Sequence, residues 1–388
     1  MNILKGIVNK SRRKVIGILS GTSIDAVDVV LTEIYGSGIE SEIRILEFDS
    51  FPIDKKVRNL ILRCSSEKTG NTADICKLNF IIGRLFGIKI NEFLKKNKIS
   101  PNEIDLTGSH GQTIFHYPVK NNQYGYDSKS TMQIGDLSVI ANITGVTTIG
   151  DFRTADVSVN GDGAPLVPYL DYILSRKINC SSVFLNIGGI SNITYIKKNC
   201  KLNEVIAFDT GPGNLLIDLI SKKYFNKKFD KDGKIAGKGN IDSSLLEKIV
   251  TKDKFVKKPS PKSTGREYYN EEFIESIVKK NSYDPYDLMA TFNFFTAYAV
   301  NYNIKKFKTD KIFVSGGGSN NLTLMKNLRN LFEGTDLEIL NLNGINSSNK
   351  EAVLFAVLAN ELISGNKTNI ISVTGADKNV FLGKICIA

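Results

Sequence analysis

Short apolar runs broken by glycine and hydroxyl residues open the chain. Residues 14–19 form one such run, ending in Ser20-Gly21-Thr22-Ser23, and a second covers 27–34. Run, glycine turn, run predicts a β-hairpin, with 43–51 as a third strand. Helical spacing of apolar residues follows over 57–63 and 73–94. A strand over 103–109 leads into His110-Gly111-Gln112-Thr113, followed by a helix over 136–143 and a strand over 145–150. Past the turn-rich stretch 161–165 the opening pattern returns. Residues 182–185 are apolar, Asn186-Ile187-Gly188-Gly189-Ile190-Ser191-Asn192 is a turn, and 193–196 are apolar again. A strand over 204–208 ends at Asp209, just before Thr210-Gly211-Pro212-Gly213-Asn214 and a helix over 215–224. Further helices are predicted over 242–251, 271–278, 285–307, 322–331 and 352–363, with strands at 311–314 and 369–373. Hairpins that begin each half, followed by alternating strands and helices, predict an α/β fold of two related domains.

Length agrees, since 388 residues exceed one ordinary core. The expected division is 1–150 with 366–388 as the first domain, and 151–365 as the second. A formal charge of +11 raises the question of an anionic partner. The lysines are scattered and form no sustained basic run with interleaved aromatics, so a nucleic-acid partner is not expected. The five cysteines include no Cys-x-x-Cys pair, which points to reduced thiols and a cytoplasmic protein. The apolar run at 15–19 is too short for a secretory signal. No stretch approaches the roughly 18 apolar residues of a membrane span, so no membrane partner is expected. A homodimer is one assembly left open.

Three glycine turns, each directly after an apolar strand, carry the candidate chemistry. They are Ser20-Gly21-Thr22-Ser23, Asn186-Ile187-Gly188-Gly189, and Gly316-Gly317-Gly318-Ser319-Asn320. Lacking a Cβ, glycine lets backbone N–H groups approach phosphate oxygens. Singly each reads as a plain tight turn; together they favour a nucleotide. The P-loop signature and a dinucleotide-type Gly-x-Gly-x-x-Gly are both absent. Asp209, at a predicted strand end, suits a general base, and a helix cap near Asn214 is an equal alternative from position alone. Asp25 could orient magnesium-bound water or close the turn, and Asp28 reads as structural. His110 is a candidate substrate contact. His116 lacks the companions of a metal site, so hydrogen bonding is the better reading for both.

Read in order, these segments resemble the anhydro-N-acetylmuramic acid kinases. The matching motifs are Gly17-Ile-Leu-Ser-Gly-Thr-Ser-Ile-Asp25, Gly108-Ser-His-Gly-Gln-Thr113, Gln133-Ile-Gly-Asp136, Asp151-Phe-Arg153 and Gly163-Ala-Pro-Leu-Val-Pro168. They continue with Asn186-Ile-Gly-Gly189, Phe208-Asp-Thr-Gly-Pro-Gly-Asn214, Pro261-Lys-Ser-Thr-Gly-Arg-Glu267, Gly316-Gly-Gly318 and Val373-Thr-Gly375. The resemblance implies an actin-like, duplicated ribonuclease-H-like fold with nucleotide between the halves. It implies transfer of the ATP γ-phosphoryl group to O6 of 1,6-anhydro-N-acetylmuramic acid while water opens the bridge at C1. Asp209 would be the base that activates water, and ATP and magnesium the cosubstrate and its cation. Ser20, Gly21, Thr22, Ser23, Asp25, Asn186, Gly188, Gly189, Gly316, Gly317 and Gly318 would hold ATP. His110, Gln112, Arg153 and Glu351 would meet the sugar; for Arg153 an ion pair with Asp151 or Asp156 is the alternative, and for Glu351 a helix cap. Two positions depart from the family pattern, Ala26 in the first turn and Asp162 where an amide is usual. A non-catalytic nucleotide-gated module, or a kinase disabled by those departures, is the competing expectation.

Overall fold

The structure is a computed structural model that describes residues 2–21, 23–278 and 283–388. It divides into two compact units, Met1–Leu174 with Leu342–Ala388, and Ser175–Asn341. The expected boundaries at 150/151 and 365/366 therefore differ from the observed ones. The helix Lys350–Ile363, assigned from sequence to the second half, packs on the first sheet instead.

In the first unit β1 (Arg12–Ser20), β2 (Ala26–Tyr35) and β3 (Glu42–Pro52) form an antiparallel meander. Strand β4 (Leu106–Gln123) lies parallel to β1 and returns as β5 (Tyr126–Ile134); β6 (Thr148–Gly150) is parallel to β4. The strand Lys384–Cys386 closes the edge beside β6. Burial on both faces explains why β1 reads as an apolar run rather than an alternation. One face is covered by the helix Thr72–Lys96, whose Leu78, Ile82, Phe86, Ile90 and Phe93 are buried at helical spacing. The other carries the helix Lys350–Ile363. Two glycines adjacent in register, Gly17 and Gly108, make that approach possible. A Cβ on Gly17 would lie 1.9 Å from the Ala352 carbonyl oxygen, and one on Gly108 would lie 2.0 Å from that of Phe355.

In the second unit β7 (Ser182–Ile187), β8 (Ile190–Ile196) and β9 (Ile206–Pro212) form a meander, and β10 (Lys311–Ser315) and β11 (Asp336–Ile339) add in parallel beside β7. Its core joins Val183, Leu185, Ile193 and Phe208 to Val300 of the helix Pro285–Ile304. The first sheet thus runs β3-β2-β1-β4-β6, with β5 as a hairpin arm on β4, and the second runs β9-β8-β7-β10-β11; in each an antiparallel meander of three strands is followed by two parallel ones. Two copies of this ribonuclease-H-like order make the actin-like α/β fold expected from the motifs. Among the described residues no helix is long and apolar enough to cross a membrane.

Three elements differ from expectation. The strand reaching His110 does not stop there but continues into the β4–β5 hairpin. Its turn has positive φ at Tyr124 (55°) and Gly125 (83°), a type I′ geometry without the usual Asn-Gly signal. Segment 369–373 is not a strand; Ile371–Thr374 is a helical turn. Asn369 Nδ2 and Thr374 Oγ1 both donate to Asp156 Oδ1 at 2.8 Å, so this stretch is tied to a buried carboxylate rather than to a sheet. Finally, Asp209 lies within β9, not at its end.

Candidate active site

In the first unit, Ser20 ends β1 and Gly21 turns the chain, with the Ile24 N–H donating to the Gly21 carbonyl at 3.1 Å. Thr22 lies outside the described residues. Ser23 is exposed and its carbonyl accepts from Arg58 at 3.3 Å; Asp25 pairs with the same guanidinium at 3.3 Å. Asp28 accepts from Ser50 at 2.6 Å, and burial raises its carboxyl above the usual range.

The pairing of β1 with β4 shifts register between Ile18–Ser109 and Ser20–Gln112. Gly111 makes the shift, with φ +74° and the Ile134 carbonyl oxygen 2.5 Å from where a Cβ would sit. The irregularity presents His110, which is 7% exposed and stacks on Phe355 with ring centroids 4.5 Å apart. Arg153 Nε donates to His110 Nε2 at 3.0 Å, and Nη1 to the Gly163 carbonyl at 2.9 Å. A guanidinium only donates, so Nε2 is an acceptor and the imidazole is neutral with its proton on Nδ1. Burial, then the Arg153 charge, push the ring well below its usual pKa. Burial lowers Arg153 to about 10, opposed by Glu351, which leaves it charged at neutral pH. Asp151 pairs with Lys384 and Asp156 accepts from Gly163, so neither is the partner of Arg153.

Among the described residues, Ser20 Oγ, Ser109 Oγ, His110 Nδ1 and Gln112 Oε1 are buried without a hydrogen-bond partner. Each orphan costs about 1–3 kcal/mol. All four lie where the end of β1 pairs with β4, a stretch of buried polar atoms left for water or a polar ligand to satisfy.

Glu351 stands in the first turn of the helix Lys350–Ile363 and is reached by solvent. Protein nonetheless surrounds it enough that desolvation raises its carboxyl; Arg153 opposes this and Asp28 adds to it. The N-cap is Asn349, so Glu351 does not cap this helix. Asp162, the unusual acid, pairs with Lys129 at 2.5 Å, which neutralises the added charge. Beside it, Asp156 Oδ2 accepts from Gly163 N–H at 2.8 Å and so fixes the carbonyl that holds Arg153.

In the second unit the other two glycine turns converge. Gly316 is packed so that a Cβ would meet Asn186 Oδ1 at 2.6 Å and the Ile187 carbonyl oxygen at 2.7 Å; Gly318 meets the Ile187 side chain. The Asn214 side chain donates to the Ile187 and Gly188 carbonyls, and the N–H groups of Gly213 and Leu215 to the Gly189 carbonyl. Gly317 borders the same Asn214. Asn186, Gly188, Gly189, Gly316, Gly317 and Gly318 therefore form one backbone-lined patch at the end of the strand that carries Asp209.

The half-buried Asp209 is not a helix cap. Its Oδ2 accepts from Ser263 Oγ at 3.0 Å and from Thr264 N–H at 2.9 Å, and its own N–H donates to the Lys262 carbonyl at 3.1 Å. Burial raises the carboxyl above the ordinary range; the Thr264 and Ser263 donors and Lys262 hold the rise in check. A partly dry carboxylate with one oxygen restrained can accept a proton from water.

The chain matches the family model for anhydro-N-acetylmuramic acid kinase over residues 13–388. It is 43% identical to the anhydro-N-acetylmuramic acid kinase of Caldanaerobacter subterraneus subsp. tengcongensis over 100% of both chains. Against those of Clostridioides difficile and Bacillus cereus strain ZK / E33L it is 39% and 40% identical, covering 95% of this chain and 97% and 98% of theirs. The chain belongs to the anhydro-N-acetylmuramic acid kinase family. As a family member it is a phosphotransferase of the sugar-kinase type. What sequence reasoning left without a role is the trio Lys262, Ser263 and Thr264. The motif Pro261-Lys-Ser-Thr-Gly-Arg-Glu267 was visible in the family, but only folding shows that it grips Asp209.

Proposed function

We propose that this kinase converts 1,6-anhydro-N-acetylmuramic acid, ATP and water to N-acetylmuramic acid 6-phosphate and ADP. The reading rests on one observation above all: Asp209 is a partly dehydrated carboxylate with its Oδ2 restrained by two donors. Water attacks C1 of the sugar and gives its proton to Asp209. The C1–O6 bond breaks, and O6 takes the γ-phosphoryl group as the bond from phosphorus to the ADP oxygen breaks. Negative charge leaving C1 on O6 is captured by phosphorus, so the phosphoryl group takes the place of the general acid of an inverting glycosidase.

The glycine patch of the second unit and the turn Ser20, Gly21 and Ser23 supply backbone donors for ATP phosphates and nucleoside. Arg153 offers Nη2, which makes no hydrogen bond among the described residues, to the sugar's lactyl carboxylate. His110 Nδ1, Gln112 Oε1 and Ser109 Oγ provide donor and acceptor positions for hydroxyl and acetamido groups. Among the described residues no group of three His, Cys, Asp or Glu could hold a metal ion. Magnesium would arrive on the phosphate oxygens, and Asp28 and Glu351, whose charges act on each other, are the carboxylates beside which it would neutralise charge.

The test is product analysis in oxygen-18 water. Label at C1 together with phosphate at C6 is expected from the wild type, and Asp209→Asn is expected to lose turnover with its melting profile intact. Wild-type turnover by Asp209→Asn removes the base assignment.

A further inference from the structure

The donors on Asp209 come from a segment that is itself anchored. Lys262 Nζ donates to the Val256 carbonyl at 2.7 Å and to the Phe255 carbonyl at 3.3 Å. The same ammonium lies over the Phe255 ring at 4.9 Å and the Phe208 ring at 5.7 Å. The turn it grips is held by several hydrogen bonds. Asp253 Oδ1 accepts from the N–H groups of Phe255 and Val256, Tyr269 donates to Asp253 Oδ2 at 2.7 Å, and Asn303 donates to the carbonyls of Val256 and Thr210.

We propose that residues 261–265 are a positioning strap for the Asp209 carboxylate: Lys262 anchors the strap to the 255–256 turn, and Ser263 and Thr264 fix Oδ2, so that Oδ1 is the oxygen presented to water. This deepens the assignment of Asp209 as base and rests on it. Lys262 and Ser263 are positioning residues, acting through Asp209 rather than on substrate. Both donors lie on one oxygen and the strap's carbonyl takes the Asp209 N–H, so backbone and side chain are held from the same side. Rotation of the carboxylate about its Cβ–Cγ bond then breaks two hydrogen bonds at once.

Burial of the anchor, and then the charge around it, make the strap sensitive to alkali. Burial first, then Lys306, lower the Lys262 ammonium to about 8; Asp253 and Asp209 oppose this and Lys258 adds to it. A neutral amine keeps its hydrogen bonds but loses the attraction to both rings and the charge-assisted part of each bond to a carbonyl.

The experiment is the pH profile of kcat and KM for the full chain with ATP and the anhydro sugar. Wild type, Asp209→Asn, Ser263→Ala, Ser263→Thr, Lys262→Met and Lys262→Arg are compared, each checked by its melting curve. Ser263→Ala removes a donor to the ionised carboxylate, so the acid limb of kcat moves up by about one pH unit and kcat at neutral pH falls about tenfold, with KM little changed. Ser263→Thr restores both. Lys262→Met loses about tenfold in kcat below about pH 8 and less above it, where wild type itself falls, whereas Lys262→Arg keeps the plateau and removes that fall. If Asp209→Asn is inactive while Ser263→Ala and Lys262→Met keep wild-type profiles, the strap is overturned and the base stands. An active Asp209→Asn overturns both.

Discussion

Replacing Gly108 by alanine tests how the helix Lys350–Ile363 is seated. A Cβ there meets the Phe355 carbonyl oxygen at 2.0 Å, and the obstacle is backbone, which cannot swing aside as a side chain tip can. Ordinary contact begins near 3.4 Å, so the helix must retreat by about 1.4 Å. If only one turn tilts away, with a footprint of ~5.4 by ~10 Å, the void is ~75 Å³ and costs about 2 kcal/mol at ~24 cal/mol per Å³. If all 14 residues move together, the void is ~300 Å³ and the cost is about 7 kcal/mol. The change is therefore worth about 2–7 kcal/mol, or a fall of at least about 4 °C in the melting temperature for a unit of this size. Scanning calorimetry reads it. Activity falls as well, because Glu351 and the Phe355 ring that backs His110 both ride on this helix; displacement by ~1 Å at a reacting centre can cost about 100-fold. Gly17→Ala acts on the same helix, so the double variant costs less than the sum. Gly6→Ala is the control: nothing lies within 4 Å of its Cβ, and the helical position gains up to about 1 kcal/mol. A Gly108→Ala protein that melts within 1 °C or so of wild type, at unchanged kcat, refutes the close seating.

Two further outcomes follow from buried charge. Lys350 and Asp171 form an ion pair at 2.6 Å with side chains 8% and 1% exposed. Asp171→Ala takes this carboxylate from the buried ammonium and should cost about 3–5 kcal/mol in urea unfolding, whereas Asp171→Leu with Lys350→Met should recover most of it; equal losses in both would contradict the pairing. His110 is depressed well below its ordinary value, so its neutral form stabilises the fold above about pH 6.5 and that stability drains away as pH falls. Nitrogen-15 NMR should show His110 still neutral, with the proton on Nδ1, at a pH where a free imidazole is already mostly protonated; a protonated ring there would break the Arg153 contact.

Much of this protein is written locally. The hairpins β1–β2 and β7–β8 could be read from apolar runs and the glycine turns between them, because strand period and turn chemistry are properties of neighbouring residues. The same holds for the helix Thr72–Lys96, whose buried face recurs at helical spacing. Asp209 could be named as a candidate carboxylate, and the ordered motifs named the family. Local order did not give the β4–β5 hairpin, whose exposed strand lacks a buried stripe and whose turn is Tyr-Gly. Nor did it give the seat of the helix Lys350–Ile363, because Gly17 and Gly108 are far apart in sequence and become neighbours only when β1 pairs with β4. The same reason governs the site. Arg153 meets His110 across 43 residues and Thr264 meets Asp209 across 55. A proton's position on an imidazole, or the choice of carboxylate oxygen that faces water, depends on such distant partners. Sequence determined which groups were available; only chain closure decided which of them are dry, which are paired and which are free to act.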